Sequence, residues 1–186
     1  MLEAYRNQEV EREKSGIPPL PLNEEQTSEL CALLEKPPAG DEDFLYHLIS
    51  ECVPPGVDPS AKIKAEWLGK VAHDELTSPV IDSQKAIFLL GTMLGGYNVP
   101  YLVRELEGAS AQLAADALKK ITMVFDNFET VKKLSDDGNE KAKEVMLSWA
   151  DAEWFAALPE LEKSITGIVY KASGETNTDD LSPAQH

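Results

Sequence analysis

The amino-acid sequence predicts an all-α fold, a superhelix of about eight or nine short helices that pack in successive pairs. Three observations lead to this prediction. Apolar residues recur at helical spacing through most of the chain, proline or glycine follows most periodic segments, and the connections between segments are short. Short helices with tight links must lie antiparallel to their neighbours, so each pair spans about 28 to 37 residues, the length of a helical repeat unit.

Polar caps define the helices in the first half of the chain. Asn23 and Gln26 form a capping box, and Asp41 opens a helix whose acidic first turn suits the helix dipole. Asp58 and Asp82 are the N-caps of the next two helices. Together with a charged leading helix, the predicted segments are 2–14, 23–36, 41–52, 58–75 and 82–94.

The second half continues in the same way and then changes character. The predicted helices span residues 98–107, 110–125, 127–135 and 139–157. Residues 164–172 are rich in isoleucine, valine, threonine and tyrosine, which predicts a strand. Because a lone strand leaves backbone groups unpaired, we expect it to be the first strand of a sheet whose remainder lies outside this chain, in a truncated second domain.

The charge of the chain excludes several classes of partner. Its 33 Asp and Glu residues against 17 Lys and Arg give a formal net charge of −16, which repels a nucleic-acid backbone and an anionic membrane surface. No segment approaches the ~20 apolar residues of a membrane span, and the first residues lack the apolar region of a signal peptide. We therefore expect a cytoplasmic protein with no membrane association and no direct nucleic-acid binding.

The cysteines and histidines do not form a metal-binding pattern. Cys31 and Cys52 lack the spacing of a metal-binding pair, and each lies among apolar residues of a predicted helix, where free cysteine behaves as a small buried hydrophobe. None of the histidines, His47, His73 and His186, pairs with another at ligand spacing. We expect no metal, cofactor-binding or catalytic residue in this chain.

Four segments carry a resemblance to a known family. Residues 171–184 read Lys-Ala-Ser-Gly-Glu-Thr-Asn-Thr-Asp-Asp-Leu-Ser-Pro-Ala and resemble the opening strand and turn of the swivelling domain in the aconitase superfamily. Segments 89–98, 123–128 and 148–155 resemble, in the same order and spacing, the amino-terminal region of the bacterial type B aconitate hydratases. The resemblance covers essentially the whole chain, which is identified as a member of that family.

The resemblance implies a fold and an enzymatic context. Residues 1–160 would form the HEAT-like helical domain at the front of these enzymes, and residues 161–186 the truncated start of the swivel domain. The family interconverts citrate and isocitrate through cis-aconitate in the tricarboxylic acid cycle, with a 4Fe–4S cluster as Lewis acid. The three cysteine ligands of that cluster lie near the family's distant carboxyl end, so ligation is not carried over to Cys31 or Cys52. The family's substrate-binding arginine follows the turn and is missing from this chain.

The family context also implies a role in a substrate tunnel or an interface. The candidates for it are Gly95, Gly96, Tyr97, Asn98, Asn177, Asp179 and Asp180. For the two glycines, helix termination is the favoured interpretation and a tunnel wall the alternative. A phosphate loop is disfavoured, because they follow a helix and no Lys-Ser/Thr follows them. The adjacent carboxylates of Asp179 and Asp180 are typical of a solvated turn rather than an acid–base pair.

Aromatic residues near the end of the helical region form a further motif. Trp149, Trp154 and Phe155 stand close to Asp151 and Glu153, which raises the idea of an aromatic carboxylate site. Their spacing spreads the aromatic rings along successive helix turns, however, so core or inter-domain packing is the favoured interpretation.

Two functions from different classes remain. In the first, the chain is the amino-terminal accessory domain of an aconitate hydratase, inactive alone, with the remaining aconitase domains as its partners and a second copy or other metabolic enzymes as further ones. In the second, it is a free-standing helical-repeat module whose concave face binds a peptide or a partner protein. An isolated enzyme would need convergent titratable groups in a pocket, which the sequence does not display.

Overall fold

Ten α-helices form within the part of the chain that the computed structural model describes, residues 1–157, 163–167 and 174. They are α1 (Leu2–Glu13), α2 (Glu24–Glu35), α3 (Glu42–Glu51), α4 (Pro59–Ala72), α5 (Ser83–Gly91), α6 (Val99–Glu105), α7 (Ala111–Leu118), α8 (Asn127–Asp136), α9 (Glu140–Ala150) and α10 (Glu153–Ala156). The predicted all-α class is confirmed.

The predicted caps explain where several helices begin. Asn23 Oδ1 accepts a hydrogen bond from the Gln26 backbone N–H at 2.9 Å, and Gln26 Oε1 accepts one from the Asn23 N–H at 3.1 Å. This reciprocal pair satisfies two backbone donors that have no partner inside the helix. Asp58 and Asp82 also accept from backbone N–H groups of their first turns. Asp41 stands at the start of α3 as predicted, but its carboxylate accepts from the guanidinium of Arg6 instead.

Removing the capping box is expected to have a small, local effect on stability. Asn23→Ala leaves the first-turn N–H groups of α2 without a side-chain acceptor, so the free energy of unfolding should fall by about 1 kcal/mol in urea titration. Ser28→Ala is the matched control, because Ser28 is exposed on the same helix and its hydroxyl only donates back to Glu24 O. A loss in Asn23→Ala no larger than in Ser28→Ala would contradict the role of the cap.

The helices pack as successive pairs in two rows. Each predicted pair is in contact: α2 with α3, α4 with α5, α6 with α7, and α8 with α9. Helices α2, α4, α6 and α8 also contact one another in sequence, as do α5, α7 and α9. Each helix therefore buries one stripe against its pair partner and another against the next pair, which forms one continuous core.

Fully buried leucines and isoleucines fill the space between the rows. The residues with no measurable exposure include Leu30, Leu34, Leu45, Leu48, Ile49, Leu68, Leu90, Leu102 and Leu118. The leading helix α1 joins this core through Tyr5, whose ring lies 6.5 Å from that of Phe44. The Arg6 guanidinium lies 4.3 Å from the centre of the same Phe44 ring. The predicted leading helix is therefore part of the core rather than a free extension.

Three helix ends differ from the prediction. Helix α5 ends at Gly91 rather than near Leu94, because the Leu94 N–H leaves the helical pattern and donates to Pro55 O at 2.9 Å. Helix α7 ends at Leu118 rather than at residue 125, because the following segment turns to meet the loop after α5. Helix α9 ends at Ala150, and Ala152 with φ +51° separates it from the short α10.

The carboxyl-terminal predictions lie mostly outside the described residues. Of the strand predicted at residues 164–172, only residues 164–167 are described, and they form neither helix nor strand. None of the described helices has the length and apolar character that a bilayer crossing demands.

Candidate functional site

The loops that follow α5 and α7 meet at Gly95. Gly95 forms an isolated parallel bridge with Met123, and the Gly96 N–H donates to Met123 O at 3.1 Å. Gly95 adopts φ +112° and Gly96 φ +80°, backbone conformations that favour glycine. This contact fixes residues 119–126 against the loop and explains why α7 ends early.

The predicted tunnel or interface residues of the first loop divide into buried and exposed ones. Gly95 is buried and Gly96 half-buried. Tyr97 is 37% exposed, and its hydroxyl donates to Val57 O at 3.4 Å. Asn98 is fully buried, and its side-chain amide donates to Leu90 O at 2.6 Å, which ties the start of α6 to the end of α5. Asn98 therefore holds the loop in place, whereas Tyr97 faces solvent.

The other predicted residues, Asn177, Asp179 and Asp180, lie outside the described residues. The structure therefore does not bring them together with the loop at Gly95, and their role stays a prediction.

Large apolar side chains are exposed on both sides of the Gly95 contact. We call this set the aromatic surface: Leu94, Tyr97, Met123, Phe125, Phe128, Trp154 and Phe155. Phe125 is 67% exposed and Phe155 68%, although burying one such ring would be worth roughly 1.5–3 kcal/mol. Single exposed apolar residues are ordinary, but a group rich in phenylalanine and tryptophan is typical of a surface that a partner covers.

Strained backbone holds two parts of the aromatic surface in place. Among the described residues, the non-glycine residues with positive φ are Asp74, Phe125 (φ +46°) and Ala152 (φ +51°). Phe125 itself belongs to the aromatic surface, and Ala152 begins the short helix that presents Trp154 and Phe155. Such conformations cost about 1–3 kcal/mol each and concentrate at functional sites. Their position here indicates that the exposed rings are held in fixed places.

A cleft of about 260 Å³ lies within the aromatic surface. Its walls include Val124, Phe128, Trp149 and Trp154. The Phe128 and Trp149 rings stack with centres 6.1 Å apart, and the Trp149 indole N–H donates to Leu118 O at 2.9 Å. Trp149 therefore packs as predicted, whereas Trp154 and Phe155 remain exposed on the described part of the chain.

The chemistry available at this surface is desolvation rather than proton transfer. The nearest ordered carboxylate, that of Glu153, accepts a hydrogen bond from the Ser148 hydroxyl at 2.6 Å. The loop at residues 95–98 carries no charged side chain, although the chain as a whole carries −16. The arrangement can exclude water and present flat apolar rings to another protein surface.

The described residues do not fit an iron–sulfur cluster. No group of three or more His, Cys, Asp or Glu side chains in residues 1–157, 163–167 and 174 is arranged to hold a metal ion. Burial raises the pKa of the Cys31 thiol to about 12, and the pKa of Cys52 is also raised by burial, so both thiols are protonated at neutral pH. Cys31 is buried as predicted; Cys52 is only half-buried, with Sγ 3.6 Å from His47 Nε2.

The aromatic surface was only partly predicted from the sequence. Met123 and Phe125 were assigned to the interior of a long α7, where their exposure could not be foreseen. The available signal was the cluster of β-branched residues Ile121, Thr122 and Val124, which disfavours the helix at that point.

The described residues define an all-α domain of packed helical pairs with an exposed aromatic surface. Comparison with known proteins places it more closely: the family model of the aconitate B N-terminal domain matches residues 4–155. The chain belongs to this family, and the predicted membership is confirmed.

Full-length relatives agree with the family model. Aconitate hydratase B of Pseudomonas aeruginosa is 52% identical over 185 residues, which cover 99% of this chain and 21% of that protein. The Escherichia coli protein of the same name is 51% identical over 99% of this chain and 21% of its own length. That of Synechocystis is 50% identical over 100% of this chain and 22% of its own length. The chain thus spans about one fifth of the length of these curated relatives.

Proposed function

We propose that this chain is the amino-terminal accessory domain of an aconitate hydratase and docks on the rest of that enzyme through the aromatic surface. Two observations support the proposal. The chain belongs to the aconitate B N-terminal domain family and matches about one fifth of the relatives' length. The aromatic surface, with Phe125 and Phe155 about two thirds exposed, provides an apolar area that a second domain would cover.

The loop at residues 95–98 gives the docked domain a role beyond attachment. In this proposal it forms part of the wall of a tunnel along which substrate reaches the active site. Citrate and isocitrate are anions, and a strongly acidic domain would repel them. The loop consists of two glycines, a tyrosine and an asparagine, so it adds no negative charge to the wall.

The remaining parts of the proposal concern the whole enzyme. Residues 1–160 act as a HEAT-like domain, and residues 161–186 begin the swivel domain. The enzyme acts in the cytoplasm, and its 4Fe–4S cluster is bound by residues outside this chain. Domain–domain contacts between copies of the enzyme, or with other metabolic enzymes, would use surfaces of the same helical domain.

The test uses a full-length aconitate hydratase that carries this chain as its amino-terminal domain. Phe125→Ser with Phe155→Ser removes two exposed rings from the aromatic surface. Since each buried ring contributes about 1.5–3 kcal/mol, the docking equilibrium should weaken by at least about tenfold. Limited proteolysis between the domain and the rest of the enzyme should accelerate, and kcat/KM for citrate should fall.

The control is Phe88→Ser, which removes an equally exposed ring, 64% accessible, from outside the aromatic surface. It should leave both the proteolysis rate and kcat/KM unchanged. Equal behaviour of the double variant and the parent enzyme would show that the aromatic surface does not face the rest of the enzyme. Faster proteolysis without a change in kcat/KM would retain the docking role and contradict the tunnel.

A further inference from the structure

A second cavity lies away from the aromatic surface, between α3, α4 and α5. Its volume is about 340 Å³. Val53, Lys64 and Leu89 are its most buried lining residues, each at most 3% exposed, and they form its floor. Tyr46 and Phe88 are among the more exposed residues at its rim. Pockets of roughly 300 Å³ are at the lower end of the range for small-molecule sites, so an occupant must be small.

A buried lysine in the floor is the unusual feature of this cavity. Lys64 is only 1% exposed, and fully buried lysines are rare unless they are paired. Its one protein acceptor is Ser50 O at 3.4 Å, at the long limit for a hydrogen bond. An ammonium group has three donors, so this single contact leaves it incompletely satisfied. Burial lowers the pKa of Lys64 to about 8, and the group still carries its charge at pH 7.

The remaining polar groups of the cavity cannot take the place of an anion. The Ser50 hydroxyl donates to Tyr46 O at 2.8 Å, and the Thr92 hydroxyl donates to Leu89 O at 2.7 Å. Glu51 is the nearest acidic residue, but it is exposed at the rim, and it only partly offsets the effect of burial on Lys64. The cavity therefore combines one buried positive charge with apolar walls.

We propose that this cavity binds a small monocarboxylate, whose carboxylate group accepts hydrogen bonds from the Lys64 ammonium while its hydrocarbon part packs against Val53 and Phe88. One negative charge matches the single ammonium, and a carboxylate supplies strong acceptors for its donors. A phosphate dianion would bring a second charge that the apolar walls do not compensate. The proposal is independent of the docking role, because neither Lys64 nor the cavity belongs to the aromatic surface.

The test is a titration of the 186-residue chain with butyrate, followed by the backbone amide resonances of Ser50, Phe88 and Thr92 in NMR spectra at pH 7. Saturable shifts are expected, with a dissociation constant on the order of 1 mM for so small a ligand. Butanol and butylammonium have the same hydrocarbon part but no anionic group, and neither should produce these shifts. Inorganic phosphate should not compete with butyrate.

Two variants on one helix complete the experiment. Lys64→Met should weaken butyrate binding at least about tenfold, because it removes a charged hydrogen-bond donor. Lys62→Met is the control, because Lys62 is 59% exposed on the same helix, and it should bind butyrate as the parent chain does. The proposal is overturned by any one of three results: no saturable shift with butyrate, equal shifts with butanol, or competition by phosphate. Undiminished binding by Lys64→Met also overturns it and needs only that this variant be folded.

Discussion

Gly95→Ala is expected to lower the free energy of unfolding by about 3 kcal/mol, the largest effect of a single methyl group in this domain. Two costs combine at this position. Gly95 has φ +112°, which an L-residue with a side chain adopts only under strain. An added Cβ would also lie 2.6 Å from Met123 O and 2.8 Å from Met123 Cβ, so the bridge between the two loops would have to open.

Gly96→Ala is the matched control one residue further along the chain. Gly96 has φ +80°, so alanine is strained there too, but its Cβ would meet only Phe125 Cε2, at the ordinary distance of 3.8 Å. Its cost should be limited to the backbone, about 1 kcal/mol. The difference between the two variants therefore measures the loop contact itself.

Thermal unfolding followed by circular dichroism distinguishes the two variants. For a chain of this size each kcal/mol corresponds to roughly 2–4 °C, so Gly95→Ala should lower Tm by about 6–12 °C and Gly96→Ala by a few degrees. Equal shifts for the two would mean that the Gly95–Met123 contact does not stabilise the domain. Because this contact also positions Phe125, Gly95→Ala should expose the aromatic surface to added protease at lower temperature than Gly96→Ala does.

The helices were predictable because local signals determine them. The capping box at Asn23, the N-caps at Asp58 and Asp82, and the proline or glycine stops act within a few residues of each helix end. Apolar periodicity then determines which stripe is buried. These interactions do not depend on the rest of the fold, so the sequence is sufficient to place them.

The candidate site was less predictable because long-range contacts form it. The segment after Leu118 has apolar residues that would continue a helix, and only the approach of Gly95 from the preceding pair stops it there. Likewise, nothing near Lys64 in the sequence indicates burial of its ammonium beneath α3, since this depends on how α3 and α4 pack. Local patterns cannot reveal contacts between segments that are distant in sequence.

Lys64→Met is expected to stabilise the domain at pH 7 by about 1–2 kcal/mol, the opposite direction to most substitutions at buried positions. Burial lowers the pKa of Lys64 from 10.5 to about 8, and the neighbouring Glu51, Cys52 and Cys31 only partly oppose this effect. Below pH 8 the folded chain therefore carries a buried charge that the unfolded chain carries in water. The hydrogen bond to Ser50 O recovers part of this cost, so the expected gain is smaller than the full pKa shift implies.

The pH dependence of Lys64→Met provides the decisive comparison. Between pH 8 and the ordinary lysine pKa the unfolded parent chain binds more protons than the folded one, so this group makes the parent more stable as pH rises. Lys64→Met lacks the group, so its advantage over the parent in urea titrations should be largest at pH 7 and much reduced at pH 9.5. Lys62→Met, exposed on α4, should follow the parent at both values. A Lys64→Met variant less stable than the parent at pH 7 would show that the ammonium supports the end of α3. A more stable one would show that the chain keeps a charge that folding alone disfavours, as expected of a lysine retained to bind an anion.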